Sequence, residues 1–377
     1  MTRFHLSILT LALTGCQIPG SCGSPPRVDG PPDAPASSSS RYSATHDVPP
    51  WRFRGCVDFV GPTTCLVAPD TEVVAWAALA DTEGWFALVD QAWLSVQEER
   101  TVLQDGLRFT FRIPAGATAL ALSGTGLRID LSAPDFSPGT TEASELVTRD
   151  PSAALKLIEQ VSPRSAAERA HQKRIRARAY FRLGRDSTPL LEEALAEARA
   201  SSLEQLADQA SAALSFHWIQ ARDFHRVDLL LGSWLPSPSG HMHRASSHAR
   251  LEFALGNFAA SYELAVQSME EAERLDVGHL KVDSAVMAAQ SLAELGQPMA
   301  GAKLVESECG ELRDLPPCLA YSVALNLAWL WTEAEAPAPA QEALRMAEAQ
   351  ATDCPRGASP GLLLNAVSLN LVRGDLA

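Results

Sequence analysis

Residues 251–268 read Leu-Glu-Phe-Ala-Leu-Gly-Asn-Phe-Ala-Ala-Ser-Tyr-Glu-Leu-Ala-Val-Gln-Ser. The run Leu251 to Leu255 has helical character, Gly256-Asn257 stops it, and Phe258 opens a second run with Ser261, Ala265 and Ser268 at helical spacing. The stretch therefore predicts two helices joined by a tight turn. The same turn recurs along the chain. Gly184-Arg185-Asp186 follows Ala179 to Leu183, Arg222-Asp223-Phe224 follows Ala213-Leu214, and Gly296-Gln297-Pro298 follows Leu292 to Leu295. A degraded copy falls at Glu335-Ala336-Pro337, and Gly374-Asp375-Leu376 closes the series. From 184 to 374 there are five intervals with a mean of about 38 residues. A helix–turn–helix period in the thirties, in an Ala-, Leu- and Glu-rich segment with little β signal, predicts an α-solenoid over 145–377.

These units resemble the tetratricopeptide repeat (TPR), in which a Gly-Asp/Asn-aromatic turn opens the second helix and small residues follow it. Gly256-Asn257-Phe258 with Ser261, Ala265 and Ser268 is the best match; the other units depart from it, with Pro298 or Ala336 where the pattern wants an aromatic or Gly. The resemblance covers about 60% of the chain and implies a groove that binds a protein or peptide. Lined by the first helix of each pair, that groove would present Arg176, Tyr180, Trp218, Arg250 and Tyr321. The first full unit also carries Arg169, Lys173, Arg174, Arg176, Arg178, Arg182 and Arg185, a basic island that reads as a solvated helix face or as a recruiter of an acidic partner. At the far end, Pro360 to Arg373 is apolar nearly all round. A terminal repeat should show a polar face instead, so the sequence predicts a chain that continues past Ala377.

Ahead of the repeats, 51–134 has the period of strands. Leu107, Phe109, Phe111 and Ile113 alternate with Arg108, Thr110 and Arg112, and Leu127, Ile129 and Leu131 with Arg128 and Asp130. Turn signals at Asp105-Gly106, Pro114 to Gly116 and Gly124 to Gly126 separate the strands. Six or seven short strands predict a small antiparallel β-sandwich, making the fold class multidomain β then α. Trp51, Trp76, Trp85 and Trp93 fall in it, either as core anchors, which the apolar runs around Trp76 and Trp85 favour, or as a stacking platform.

The first fifteen residues read as a secretory signal, with Arg3 and a short apolar run too brief to span a bilayer. Leu13-Thr14-Gly15-Cys16 resembles the bacterial lipobox, which implies cleavage before Cys16 and its lipidation. Gln17 in place of Asp leans toward the outer membrane under the enterobacterial sorting rule. Residues 16–50, with paired prolines and a Ser37 to Ser40 run, have too few large apolar side chains to fold and predict a tether. The balance of 31 basic against 45 acidic residues gives a net charge of −14, which argues against a nucleic-acid binder. Only four of the basic residues are Lys, a bias of GC-rich bacterial genomes.

Cys16 set aside, six cysteines remain, an even number in an exported protein. Cys56 and Cys65 flank a Gly61-Pro62 turn, and Cys309 and Cys318 flank an apparent interhelical loop, so each pair is expected to bridge, leaving Cys22 and Cys354 for one another. The nine-residue spacings do not suit zinc. His241-Met242-His243 reads as a polar helix start, and His217 and His225 as surface residues.

No nucleophile elbow, phosphate-binding loop, zinc-protease helix or dinucleotide fingerprint is present, so neither catalytic residues nor cofactor nor metal are expected. The expected function is a membrane-anchored scaffold for a protein or peptide partner. The order lipobox, tether, β domain with a Cys pair, then degenerate repeats also resembles the N-terminal half of bacterial CHAT proteins. That resemblance implies the sensing or substrate-recruiting arm of a caspase-like peptidase whose catalytic domain lies beyond Ala377.

Overall fold

The computed structural model describes residues 51–351 and Cys354, apart from positions 57, 61–63, 69, 79–83, 97–98, 104, 124, 126, 235 and 238. Cys16, Cys22, the tether, the apolar run 360–373 and the turn at Gly374 lie outside the described residues. Ten strands come first: β1 (Trp51–Arg54), β2 (Asp58–Val60), β3 (Thr64–Leu66), β4 (Glu72–Ala77), β5 (Trp85–Val89), β6 (Ala92–Ser95), β7 (Glu99–Leu103), β8 (Gly106–Arg112), β9 (Ala117–Leu122) and β10 (Arg128–Ser132). Twelve helices follow: α1 (Pro138–Arg149), α2 (Pro151–Gln160), α3 (Ala166–Arg182), α4 (Thr188–Ala200), α5 (Glu204–Gln220), α6 (Phe224–Ser233), α7 (His241–Ala254), α8 (Phe258–Arg274), α9 (Gly278–Glu294), α10 (Pro298–Cys309), α11 (Pro317–Glu333) and α12 (Pro337–Ala351). The chain is thus an antiparallel-rich sheet region followed by a helical region. It divides into two compact units, one of residues 48–255 and 264–281, the other of 256–263 and 282 onward.

In the first unit, β1, β4, β8 and β7 form one sheet in that order, and β2, β3, β10, β9, β5 and β6 a second. Every pairing is antiparallel except that of β3 with β10, which is parallel. The expectation of a purely antiparallel arrangement is corrected at that pair. Period-two alternation sets the faces as expected: Leu107, Phe109 and Phe111 are buried together with Phe53, Trp85, Leu120 and Ile129 in one core drawn from both sheets. Of the four tryptophans, Trp85 is the core anchor, with ring contacts to Phe53 at 5.6 Å and Phe111 at 5.9 Å. Trp93 is exposed on the edge strand β6.

Trp76 sits in the apolar run but does not belong to that core. It alternates with Ala75 and Ala77, so it shares the opposite face of the sheet with Arg52 and Arg108. There the guanidinium carbons of Arg274 and Arg52 stand 4.6 and 5.7 Å from its ring centroid. Arg52 donates to the Glu271 carboxylate through Nε at 2.7 Å and Nη2 at 2.9 Å, a buried bidentate pair between β1 and α8. Arg274 bonds Glu271 and Asp105, and Arg108 donates to the Glu273 carbonyl at 2.9 Å. The sheet is docked on the helix by these charges.

A second dock involves Asp58 of β2, which is fully buried. Its carboxylate accepts the Gln205 N–H at 3.0 Å and the Leu206 N–H at 3.4 Å, and His171 Nε2 of α3 lies 3.2 Å away. The first amides of α5 have no intrahelical acceptor, and a carboxylate supplies one. A third buried carboxylate, Glu168 of α3, holds the connection into α1. It accepts from Ser137 N at 2.7 Å, Thr140 Oγ1 at 2.6 Å and Arg164 N at 2.7 Å, and from the Ser137 hydroxyl. Burial pushes its pKa up, but the Arg164 N–H and the Ser137 and Thr140 donors more than offset this and hold it at about 2.

The turns predicted from sequence within α3–α4, α5–α6, α7–α8, α9–α10 and α11–α12 are all present. Each contains one residue of positive φ: Gly184 at 70°, Arg222 at 58°, Gly256 at 82°, Gly296 at 82° and Glu335 at 54°. Such a residue turns the chain so that the next amide can reach back. Arg185, Asp223, Gln297 and Ala336 N–H donate to the carbonyls of Tyr180, Trp218, Leu292 and Trp331 at 2.8–2.9 Å. This is the Schellman pattern, which satisfies carbonyls a helix end leaves open. Ser261, Ala265 and Ser268, the small positions after the best-matched turn, are all buried.

Cys56–Cys65 bridges as expected, but Cys309–Cys318 does not. Cys318 pairs with Cys354, their Cα atoms 4.8 Å apart, which also removes Cys354 from Cys22. The reason is the helical hairpin: α11 and α12 run back along each other, so the start of one meets the end of the other. Cys309 is a buried thiol on the stripe of α10 that also buries Ala302 and Val305. The larger loop makes the observed bridge worth about 4 kcal/mol in the chain-entropy model, against about 2.5–3 for the expected one.

Two predictions follow from the turns and from Glu168. Arg222 and Glu335 hold a conformation that disfavours a Cβ, so Arg222→Gly and Glu335→Gly are each expected to stabilise their unit by about 0.5–1 kcal/mol, read as a raised denaturant midpoint. Glu168 has a folded pKa below its ordinary value, so its stabilisation is complete above about pH 4.5 and is lost as pH falls toward 2. Glu168→Gln is expected to cost about 2–3 kcal/mol at pH 7 and to flatten the stability profile in that acid window. An unchanged profile would show that the buried carboxylate is not what holds α1.

Candidate functional site

The helical spacing of α3 places Arg174, Ala177, Arg178 and Phe181 on one face, and that of α5 places Gln209, Ala213, Phe216 and His217 on one face. These faces, with Ser187 and Leu191 at the start of α4, line a cavity of about 230 Å³ in the first unit. This is smaller than the several hundred cubic ångströms of sites that enclose a drug-sized ligand. Its size suits one side chain or one small group.

Its charge is one-sided. Within the basic island, Lys173 bonds Glu193 and Glu197 at 2.8 Å, Arg169 lies 3.5 Å from Glu197, and Arg185 stacks 5.6 Å over Tyr180. Arg174, Arg178 and Arg182 have no carboxylate within ion-pair distance among the described residues. Arg174 gives one Nη1 hydrogen bond to Gln209 Oε1, while its buried Nε has no acceptor. Burial, then the neighbouring Arg178, push the Arg174 guanidinium down to about 10, still cationic at neutral pH. Asp58 acts weakly in the opposite sense, but its oxygens already serve His171 and the α5 amides. The cavity therefore holds two guanidinium groups and no anion of its own.

Its remaining walls are apolar and aromatic. Phe181 meets Phe216 edge-on at 6.4 Å and His217 at 5.5 Å, and the Arg250 guanidinium stands 5.9 Å from the Phe216 ring. Ser187 Oγ lies 2.9 Å from His217 Nε2. Burial lowers the imidazole pKa and Asp186 only partly restores it, which favours the neutral ring at pH 7, paired through Nε2 with the Ser187 hydroxyl. The pair is no catalytic triad: Ser187 is fully buried, and Asp186 accepts from the Thr188 N–H. Among the described residues no carboxylate orients the other ring nitrogen.

The residues predicted for the groove do not line this cavity. Arg176 and Tyr180 are half-buried on another side of α3, with Tyr180 packed on the Ile175–Ala179 cluster. Trp218 packs on Leu214 and Leu230 and carries Arg226 at 4.7 Å over its ring. Arg250 is the one that reaches the cavity's rim, through Phe216. Tyr321 is a core residue of the second unit, buried against Ala324, Leu325 and Ala347. Sequence reasoning missed Phe181, Phe216 and His217, and it placed His217 on the surface, where only His225 is exposed. The available signal was the Arg174/Arg178 pair four apart with Phe181 one turn on.

His241 and His243 open α7, as expected, and burial pushes both rings down to about 4. Among the described residues no group of three His, Cys, Asp or Glu side chains is placed to hold a metal ion. Among them, too, no helix is long and apolar enough to cross a membrane. No model of a known protein family matches the chain, and no curated protein matches it in sequence.

Proposed function

We propose that this chain is a scaffold that binds a protein or peptide partner through its helix pairs, held at a bacterial envelope by lipid on Cys16 with 16–50 as the tether. The observation that carries the binding reading is the cavity between α3 and α5, where two arginines lack carboxylate partners among the described residues. Leaving cations unpaired beside one another costs stability, and a binding role offsets that cost. Positive-φ turns also fall between pairs, at Ser202 and Asp276, so the turn alone does not mark a repeat; what supports a TPR-like array is that the turns within pairs, at residues 184, 222, 256, 296 and 335, stand 34 to 40 residues apart. The burial of Ser187, and the absence among the described residues of a carboxylate orienting His217, favour binding over catalysis at this site.

Two measurements test the reading. Growth with labelled fatty acid is expected to label the protein but not its Cys16→Ser variant; equal labelling would remove the anchor. Affinity purification of the full chain from detergent-solubilised envelopes is expected to enrich a protein partner that is lost with Arg174→Ala/Arg178→Ala. Retention of no protein by the parent chain, or equal retention by both, would overturn the scaffold.

A further inference from the structure

We propose that the cavity between α3, α4 and α5 is an anchor site for an acidic side chain of a peptide, Asp or Glu, set beside an apolar or aromatic residue. This rests on the scaffold reading and deepens it by naming the ligand. A carboxylate placed between Arg174 and Arg178 meets two guanidinium forks, the geometry that binds carboxylates in pairs of hydrogen bonds. It also supplies an acceptor to the buried Arg174 Nε, which has none. The neighbouring residue of the peptide would cover Phe181 and Phe216, and the volume of about 230 Å³ limits the anchor to one side chain.

The net charge of −14 decides the class of ligand. Over distances beyond about 8 Å at physiological salt the protein's field is screened, so a single carboxylate senses the local arginines. A long polyanion would extend past the basic island of α3 onto a protein whose net charge is −14, which disfavours nucleic acid. The flanking aromatic walls disfavour a bare inorganic anion, which has nothing to place against them. An acidic residue on a mostly apolar peptide satisfies both.

The experiment is a selection of the full chain against a random dodecapeptide display library, followed by fluorescence anisotropy with the strongest peptide. Enriched peptides are expected to carry Asp or Glu next to an aromatic or aliphatic residue. Replacing that acid by its amide, or introducing Arg178→Ala, is expected to weaken binding tenfold or more, with Arg178→Lys recovering part of it. Arg178 is exposed and unpaired among the described residues, so its variants should unfold at or above the parent's midpoint, and a loss of binding is then not a loss of fold. Enrichment of peptides without acids, or full binding by Arg178→Ala, would overturn the anchor site and leave the scaffold reading standing. A library that yields nothing counts against the scaffold. The anchor is then decided separately with 3-phenylpropionate, a carboxylate on an aromatic stem, titrated beside 3-phenylpropanol. Saturable binding of the acid alone supports the site, and equal or absent binding sinks it.

Discussion

A buried carboxylate must find hydrogen-bond donors, and Asp58 finds them on two helices. It lies on β2, yet its partners are His171 of α3 and the first amides of α5. Those same helices carry the cavity's arginines and aromatics one to three turns further along, at Arg174, Arg178, Phe181 and Phe216. The sheet region thereby fixes the separation of the two helices that form the site. Strands and first helices belong to one compact unit, and one acid on a three-residue strand ties them. The energy of such contacts lies less in attraction than in the penalty for breaking them, because an unsatisfied buried charge is costly.

The Arg52–Glu271 pair plays the same part on the other sheet. Buried ion pairs add little net stability over a well-packed apolar contact, and their attested use is in fixing one arrangement among several. Here a charge pair, a second arginine and the face of Trp76 interlock, so a slip of α8 along the sheet would strand at least one buried charge. Register is set by what would go wrong elsewhere.

Much of this fold was legible because its signals are local. Gly184, Gly256 and Gly296 mark turns by their own conformational freedom, and the alternation along β8 needs no distant partner to be read. What was misread depended on pairs of elements. Trp76 sits in an apolar run but faces a helix two hundred residues away in sequence, and Cys318 finds Cys354 through a helical hairpin instead of its near neighbour. The cavity was not legible for a related reason. Helical periodicity places Arg174 with Arg178 and Arg176 with Tyr180 equally well. Which of the two faces looks into a cavity depends on α5, whose angle Asp58 sets. Composition located the basic island correctly, but which of its charges lack carboxylate partners is decided by Glu193 and Glu197 on the next helix.

The hairpin of α11 and α12 is closed at one end by the turn through Glu335 and at the other by Cys318–Cys354. Topologically it is a ring. Helix pairs in a repeat array ordinarily fray one after another, each opening at its loose ends with little cooperation from the rest. A ring has no loose end. Its most protected amides lose the route that opens from the free ends while the sulfur bond is intact, so the hairpin's slowest exchange rates become a gauge of the redox state around it.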